Sequence, residues 1–266
     1  MIREITLGQY YPVDSILHRL DPRVKLSGTI VFILSLFVAQ EYQCYIIAAA
    51  FLIVMIALSK VPVSFMFKGL KAIMFILVFT GLLNLFLTPG EVVLSFWKLT
   101  ITKQGIRTAS FMVIRLVFLI TGSSIMTLTT TPSNLTDGLE KSLNWMKKIK
   151  VPVHEIAMMM SIALSFIPIL LEETDIIMKA QQARGSDFES GGLIKRVRAL
   201  IPILVPLFVS AFRRANDLAL AMESRCYRGG EGRTKLHPLK YGLRDYVAYI
   251  IMLLYFVSII VVSFIF

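Results

Sequence analysis

Arginines placed at the ends of helical runs are the side chains in this sequence with the clearest chemistry to offer. Ala183-Arg184-Gly185 closes one run, and Ser224-Arg225-Cys226-Tyr227-Arg228-Gly229 closes another. Glycine just past a helix takes the left-handed conformation without steric cost, and an arginine in the last turn complements the negative end of the helix dipole. Each run therefore presents a planar guanidinium fork at its tip, a shape that grips a carboxylate through two parallel hydrogen bonds. The second tip holds two candidates, Arg225 and Arg228. Two cationic forks at two helix ends form an arrangement for docking.

Other apparent motifs fail on spacing. His154-Glu155-Ile156-Ala157-Met158 begins as a zinc-protease H-E-x-x-H would, but Met158 stands where the second ligand belongs. His18 and His237 are far away in sequence. Gly229-Gly230-Glu231-Gly232-Arg233-Thr234-Lys235 has the composition of a phosphate loop without its order or a preceding strand, and reads as a flexible linker. No G-x-S-x-G nucleophile motif occurs. Cys44 and Cys226 lie in unrelated contexts and predict neither a disulfide framework nor a metal pair. The chain is expected to be no enzyme, and to hold no cofactor or metal of its own.

The two tips end two long segments, Pro152 to Gly185 and Leu193 to Gly229, each apolar at first and polar from midway. Pro168 in the first, and Pro202 and Pro206 in the second, predict bends. Met158, Met159 and Leu164 on one segment, with Leu204, Leu207 and Phe208 on the other, form soft apolar surface suited to a site that accepts several partners. Past the prolines the charges oppose each other: Glu172, Glu173 and Asp175 against Arg213 and Arg214. If the segments cross, a Glu–Arg pair would fix the crossing; as solvated faces the same residues would contribute only about 0–1 kcal/mol.

The elements that must carry these segments are membrane-like. A chain that is 56% hydrophobic, with a mean hydropathy of +0.72, is too apolar for an ordinary soluble domain. The net charge of +11 sits between apolar runs, so it reads as orientation signal and not as a nucleic-acid surface. Runs at about 24–40, 44–59, 70–88, 109–128 and 244–266 predict an all-α membrane protein with about five transmembrane helices, plus long bent helices in the cytoplasm. The division is 1–128 for a bundle of four spans, 129–243 for a cytoplasmic region and 244–266 for the last span. The basic residues of 129–243 place the N-terminus in the cytoplasm and the C-terminus outside. Two further spans at 156–171 and 199–212 would put Lys195, Arg196 and Arg198 outside, against that rule.

Local details complete the reading. Residues 1–23 are mixed and polar, so a cleaved signal peptide is not expected. Glu91 to Thr102 has strand-like composition, with Trp97 at the membrane interface. Arg115, inside the fourth span, is expected to snorkel outward. Thr131-Pro132-Ser133 restarts a helix over Leu135–Lys150, with Leu135, Leu139, Leu143 and Met146 on one face at the cytoplasmic interface.

Pro152-x-His154-Glu155-x-Ala157-x-Met159-Met160, Phe166-Ile167-Pro168, Glu172-Glu173 and Ala180-Gln181-x-Ala183-Arg184-Gly185 together resemble the T component of energy-coupling factor (ECF) transporters. His18-Arg19-Leu20-Asp21-Pro22-Arg23-x-Lys25-Leu26 and Ala221-Met222-Glu223-x-Arg225 extend the resemblance over nearly the whole chain. It implies a scaffold in a prokaryotic cell (inner) membrane, whose coupling helices pass movement from two ABC-type ATPase subunits, which bind the ATP, to a small integral-membrane subunit that captures a vitamin or other micronutrient. That subunit is one or several interchangeable ones. The ATPase-binding residues so implied are Ala183, Arg184 and Gly185 at one tip, and Arg225, or Tyr227, Arg228 and Gly229, at the other. Met158, Met159, Leu164, Leu204, Leu207 and Phe208 are the expected surface for the substrate subunit. The alternatives are a T subunit dedicated to cobalt or nickel, and a self-sufficient secondary transporter, which should show internal repeats and midplane charges.

Overall fold

The computed structural model describes residues 10–39, 41–96, 99–186, 192–230 and 238–265. Trp97, the sequence-predicted interface residue, and the glycine-rich stretch beyond Gly230 lie outside them. The chain divides into two units, Gly8–Ser142 with Leu239–Phe266, and Leu143–Pro238.

The first unit is a bundle built from runs that are apolar nearly all round, as buried or membrane helices are. Its helices are α1 (Pro22–Val38), α2 (Tyr42–Ser59), α3 (Val63–Leu87), α4 (Lys103–Thr129), α5 (Pro132–Ser142) and α8 (Leu243–Ile265). Between α3 and α4 the β-branched stretch forms a hairpin of β1 (Val92–Phe96) and β2 (Leu99–Thr102), paired antiparallel with Val92 opposite Thr102. α3 lies along α4, α1 packs on α8, α5 and α4, and α2 touches α4 and α8. The core at these crossings holds Leu36, Cys44, Ala48, Met66, Ile125, Tyr255 and Ile259. The outward faces are also apolar: Phe75 is 79% exposed and Leu254 62%, a surface that requires lipid around it.

The second unit holds a 3₁₀ turn (Leu143–Ile149), α6 (Val153–Ala183) and α7 (Leu193–Ser224). At 31 and 32 residues, the two helices are each about 46–48 Å long. Pro168, Pro202 and Pro206 all sit inside continuous helix.

The structure refines the sequence reading at three places. The helix predicted over Leu135–Lys150 is α-helical only to Ser142; Thr131 caps its start, through Asn134 N–H to Thr131 Oγ1 at 3.3 Å. The rest, Leu143–Ile149, is 3₁₀ and ends at Lys150, which is left-handed (φ 62°); Pro152 then disfavours helix at Val151 before it. Arg115 finds partners within the bundle: it donates to the Tyr45 hydroxyl at 3.0 Å and to the carbonyl of Ala39, the C-cap of α1, at 3.3 Å. Finally, α2, α4, α6 and α8 are long and apolar enough to cross a membrane, with α3 a fifth if its halves, bent by 62°, form one span. α6 thus meets the composition of a span, while α1, at 17 residues, is about 26 Å long, short of the roughly 30 Å hydrocarbon core.

Candidate functional site

The two arginine tips are built by the same backbone device. Arg184 is the C-cap of α6, with φ −85° and ψ 6°, and Arg225 is the C-cap of α7, with φ −90° and ψ 13°. After each, one residue turns left-handed: Gly185 (φ 87°) and Cys226 (φ 57°). Gly185 N–H then donates to Gln182 O at 2.9 Å and Ser186 N–H to Gln181 O at 3.0 Å. On α7, Cys226 N–H donates to Glu223 O at 2.9 Å and Tyr227 N–H to Met222 O at 3.0 Å. Both patterns are the two-bond Schellman ending, which satisfies carbonyls the helix itself leaves open. Arg184 and Arg225 are both exposed at the negative ends of their helices.

Arg228 is placed differently. It is exposed, three residues beyond the α7 cap, and Gly229 next to it is left-handed (φ 91°). Gly230 lies against the His154 ring so closely that a Cβ there would collide with it. The segment Tyr227–Gly230 is therefore already returning along the start of α6.

Upstream of the tips, Arg214 donates to Glu173 Oε2 at 3.1 Å, and the Ser210 hydroxyl bonds the same carboxylate. Glu172 and Arg213 are exposed and make no ion pair among the described residues. Glu173 and Arg214 each lie ten residues before the last residue of their helix, about 15 Å along the axis. An antiparallel hairpin joined by residues 184–192 would instead set Glu173 near residue 203. The apolar candidates sit on these helices with Met159, Leu204 and Phe208 exposed (58%, 46% and 62%) and Met158, Leu164 and Leu207 half-buried.

The bundle contains a polar knot at the start of α1. Asp21 caps α1, receiving Arg23 N–H at 2.9 Å, and the Arg23 guanidinium grips both its oxygens at 3.0 and 2.8 Å. Burial by itself pushes the Asp21 carboxyl up, but the bonds from Arg23 outweigh it and hold the group below its ordinary value. Asp21 N–H donates to Asp245 Oδ1 at 2.9 Å, and Gly242 N–H to Asp245 Oδ2 at 2.8 Å. The Arg23 guanidinium stacks 3.7 Å over the Tyr241 ring. Burial, then the bond from Tyr249, raises the Tyr241 phenol to about 12. His18 Nε2 donates to Tyr11 O at 3.0 Å and Nδ1 accepts from the Ser15 hydroxyl at 2.7 Å, a neutral tautomer; burial lowers its affinity for a second proton. Asp21-Pro22 was legible as a helix start. Asp245 and Tyr241, more than 200 residues away, carried no local signal.

Apolar helices in a bundle with apolar outward faces define a multi-pass helical membrane protein. The sequence signature of the CbiQ family, described as cobalt transport protein, matches residues 14–236. The chain is 53% identical over 250 residues to the energy-coupling factor transporter transmembrane protein EcfT of Clostridium kluyveri, covering 93% of each chain. It is 49% identical over all 266 residues to the EcfT of Ruminiclostridium cellulolyticum, and 48% identical over 246 residues to that of Bacillus subtilis, covering 92% of this chain and 93% of that one. The chain belongs to this family, that of the transmembrane T components of ECF transporters.

Proposed function

We propose that the chain is the energy-coupling scaffold of an ATP-driven importer in a prokaryotic cell membrane, with Arg184 and Arg225 docking one ATPase subunit each. The observation that carries this reading is the identity of the two helix endings: the same cap, the same left-handed residue and the same pair of backbone bonds behind one exposed guanidinium. Two equivalent tips match two equivalent partners. The receiving surface on each ATPase is an acidic groove that takes the guanidinium in a bidentate pair.

ATP binding and hydrolysis then belong to the partners, and their closure moves the tips together. The apolar surface of α6 and α7 around Met159, Leu204 and Phe208 receives the substrate-capturing membrane subunit, which selects a vitamin or other micronutrient. A second reading of the cargo is a cobalt or nickel ion, of which the family description names cobalt; the substrate subunit that co-purifies with the tagged chain separates the two.

The docking test is a pull-down of the ATPases with three single variants. Arg184→Ala and Arg225→Ala are each expected to lose about 2–5 kcal/mol of binding, and Arg228→Ala to stay close to wild type. Wild-type retention by both cap variants would overturn the assignment.

A further inference from the structure

Between α1, α2, α4 and α8 the bundle leaves a groove of about 790 Å³. Its walls are apolar, with Val24, Val54, Met126, Val247 and Ile251 among them. It follows α8 from Leu243 to Ser258, about 22 Å along the helix. That exceeds the roughly 15 Å of one leaflet's hydrocarbon. Its inner end is floored by stacked rings: Phe51 and Tyr255 have centroids 4.2 Å apart, and Phe32 lies 6.1 Å from each.

The mouth of the groove is cationic. Lys25 and Arg244 line it, both in the first turn of their helices, where the helix dipole adds further positive potential. The Lys25 amine donates to Thr129 O at 2.9 Å and His18 O at 3.2 Å, which leaves one N–H of three. Arg244 is exposed, and its side chain has no partner among the described residues. The nearby carboxylates hydrogen-bond elsewhere, Asp21 to Arg23 and Asp245 to two backbone N–H groups; their charges still reach Lys25, so with Arg23 the cluster is net positive by one. An apolar slot at least one leaflet deep, with uncommitted donors and positive potential at its mouth, has the complementary shape and charge of an anionic amphiphile.

We infer that this groove binds one anionic phospholipid, with an acyl chain lying along α2 and α8 down to the Phe51–Tyr255 floor and the phosphate between Arg244 and Lys25. The site belongs to the bundle and does not depend on the arginine tips. Headgroup charge sets its preference, because a zwitterionic lipid fills the slot equally well and brings the same phosphate, but adds a quaternary ammonium that a positive mouth disfavours.

The test uses the full chain in mixed micelles carrying dioleoylphosphatidylglycerol or dioleoylphosphatidylcholine, with bound lipid counted by native mass spectrometry. Wild type is expected to retain one phosphatidylglycerol in preference to phosphatidylcholine, and Arg244→Gln to reduce that preference about fivefold. Ala50→Trp fills the slot with an indole and is expected to lose both lipids. Since a new tryptophan can disturb helix packing, Val54→Trp serves as a second blocking variant, and melting curves identify which of the two is folded. Phosphatidylglycerol raises the melting temperature of wild type and not that of a folded blocked variant. Equal retention of the two lipids by wild type, or wild-type retention of phosphatidylglycerol by a folded blocked variant, overturns the proposal.

Discussion

Cys226 occupies the place that Gly185 fills at the other tip, and does so at a cost. A side chain in the left-handed region crowds the following carbonyl, a penalty of roughly 1–2 kcal/mol that glycine avoids. Cys226→Gly should therefore slow hydrogen exchange at the Tyr227 amide, which closes the α7 ending, without moving Arg225. Faster exchange would mean that the thiol side chain stabilises the turn in some other way. Asp245 is the second residue whose role is sharply defined. It receives the N–H groups of Asp21 and Gly242, so Asp245→Ala leaves buried donors open at about 1–3 kcal/mol each. The melting temperature in detergent is expected to fall clearly, and less in Asp245→Asn, which keeps one acceptor. Asp21 adds a pH dependence with a definite sign. Its folded-state value lies below the ordinary 3.8, so the stability it contributes is present above that value and is lost as pH falls through the folded one. Asp21→Asn should remove that acid limb of the melting profile.

At the scale of elements, the Glu173–Arg214 contact decides how α6 and α7 meet. With 42% of the arginine and 22% of the glutamate side chain exposed, the pair contributes no more than about 1 kcal/mol to stability. Its value is positional: both tips lie about 15 Å beyond it on their own helices, so a small change of crossing angle changes their separation. Glu173→Arg or Arg214→Glu alone should uncouple ATP hydrolysis from uptake, and the double swap should restore part of it; purely additive effects would remove the pair from the coupling path. The sequence narrowed this contact to four residues and no further. Consecutive helical positions point about 100° apart, and only the three-dimensional crossing chooses Arg214 over Arg213. The tips were more legible, because Gly185 and the arginine before it are local signals. At the second tip Gly229 drew attention to Arg228, since a cysteine in the left-handed position has no signature in sequence. The groove was illegible for a related reason: helices that are apolar all round do not announce which face is unfilled.

At the scale of the whole chain, the question is which helices lie in lipid, and α6 is where composition and charge disagree. By length and hydropathy α6 qualifies as a span. Yet its second half carries Glu172, Glu173, Asp175 and Lys179, and an ionised group at the bilayer centre costs about 2.5–3.5 kcal/mol on insertion scales. If α6 crossed alone, the basic cluster Lys141, Lys147, Lys148 and Lys150 would face one side, and Arg184 with the basic residues of α7 the other. That contradicts the tendency of Lys and Arg in short loops to stay on the cytoplasmic side. If α6 does not cross, both clusters share one side, as the proposed docking of Arg184 and Arg225 on ATPase subunits requires. Single cysteines at Ser142 and Ser186 bracket α6 and separate these cases, in a Cys226→Ser background because Cys226 is exposed while Cys44 is buried. A membrane-impermeant maleimide is expected to label both positions in inside-out vesicles and neither in intact spheroplasts. Gln43→Cys, in the first turn of α2, serves as the opposite control and should label in spheroplasts. Labelling of Ser186→Cys from the outside, with Ser142→Cys still labelled only from within, would make α6 a membrane span and put Arg184 on the wrong side of the membrane for the proposed ATPase docking.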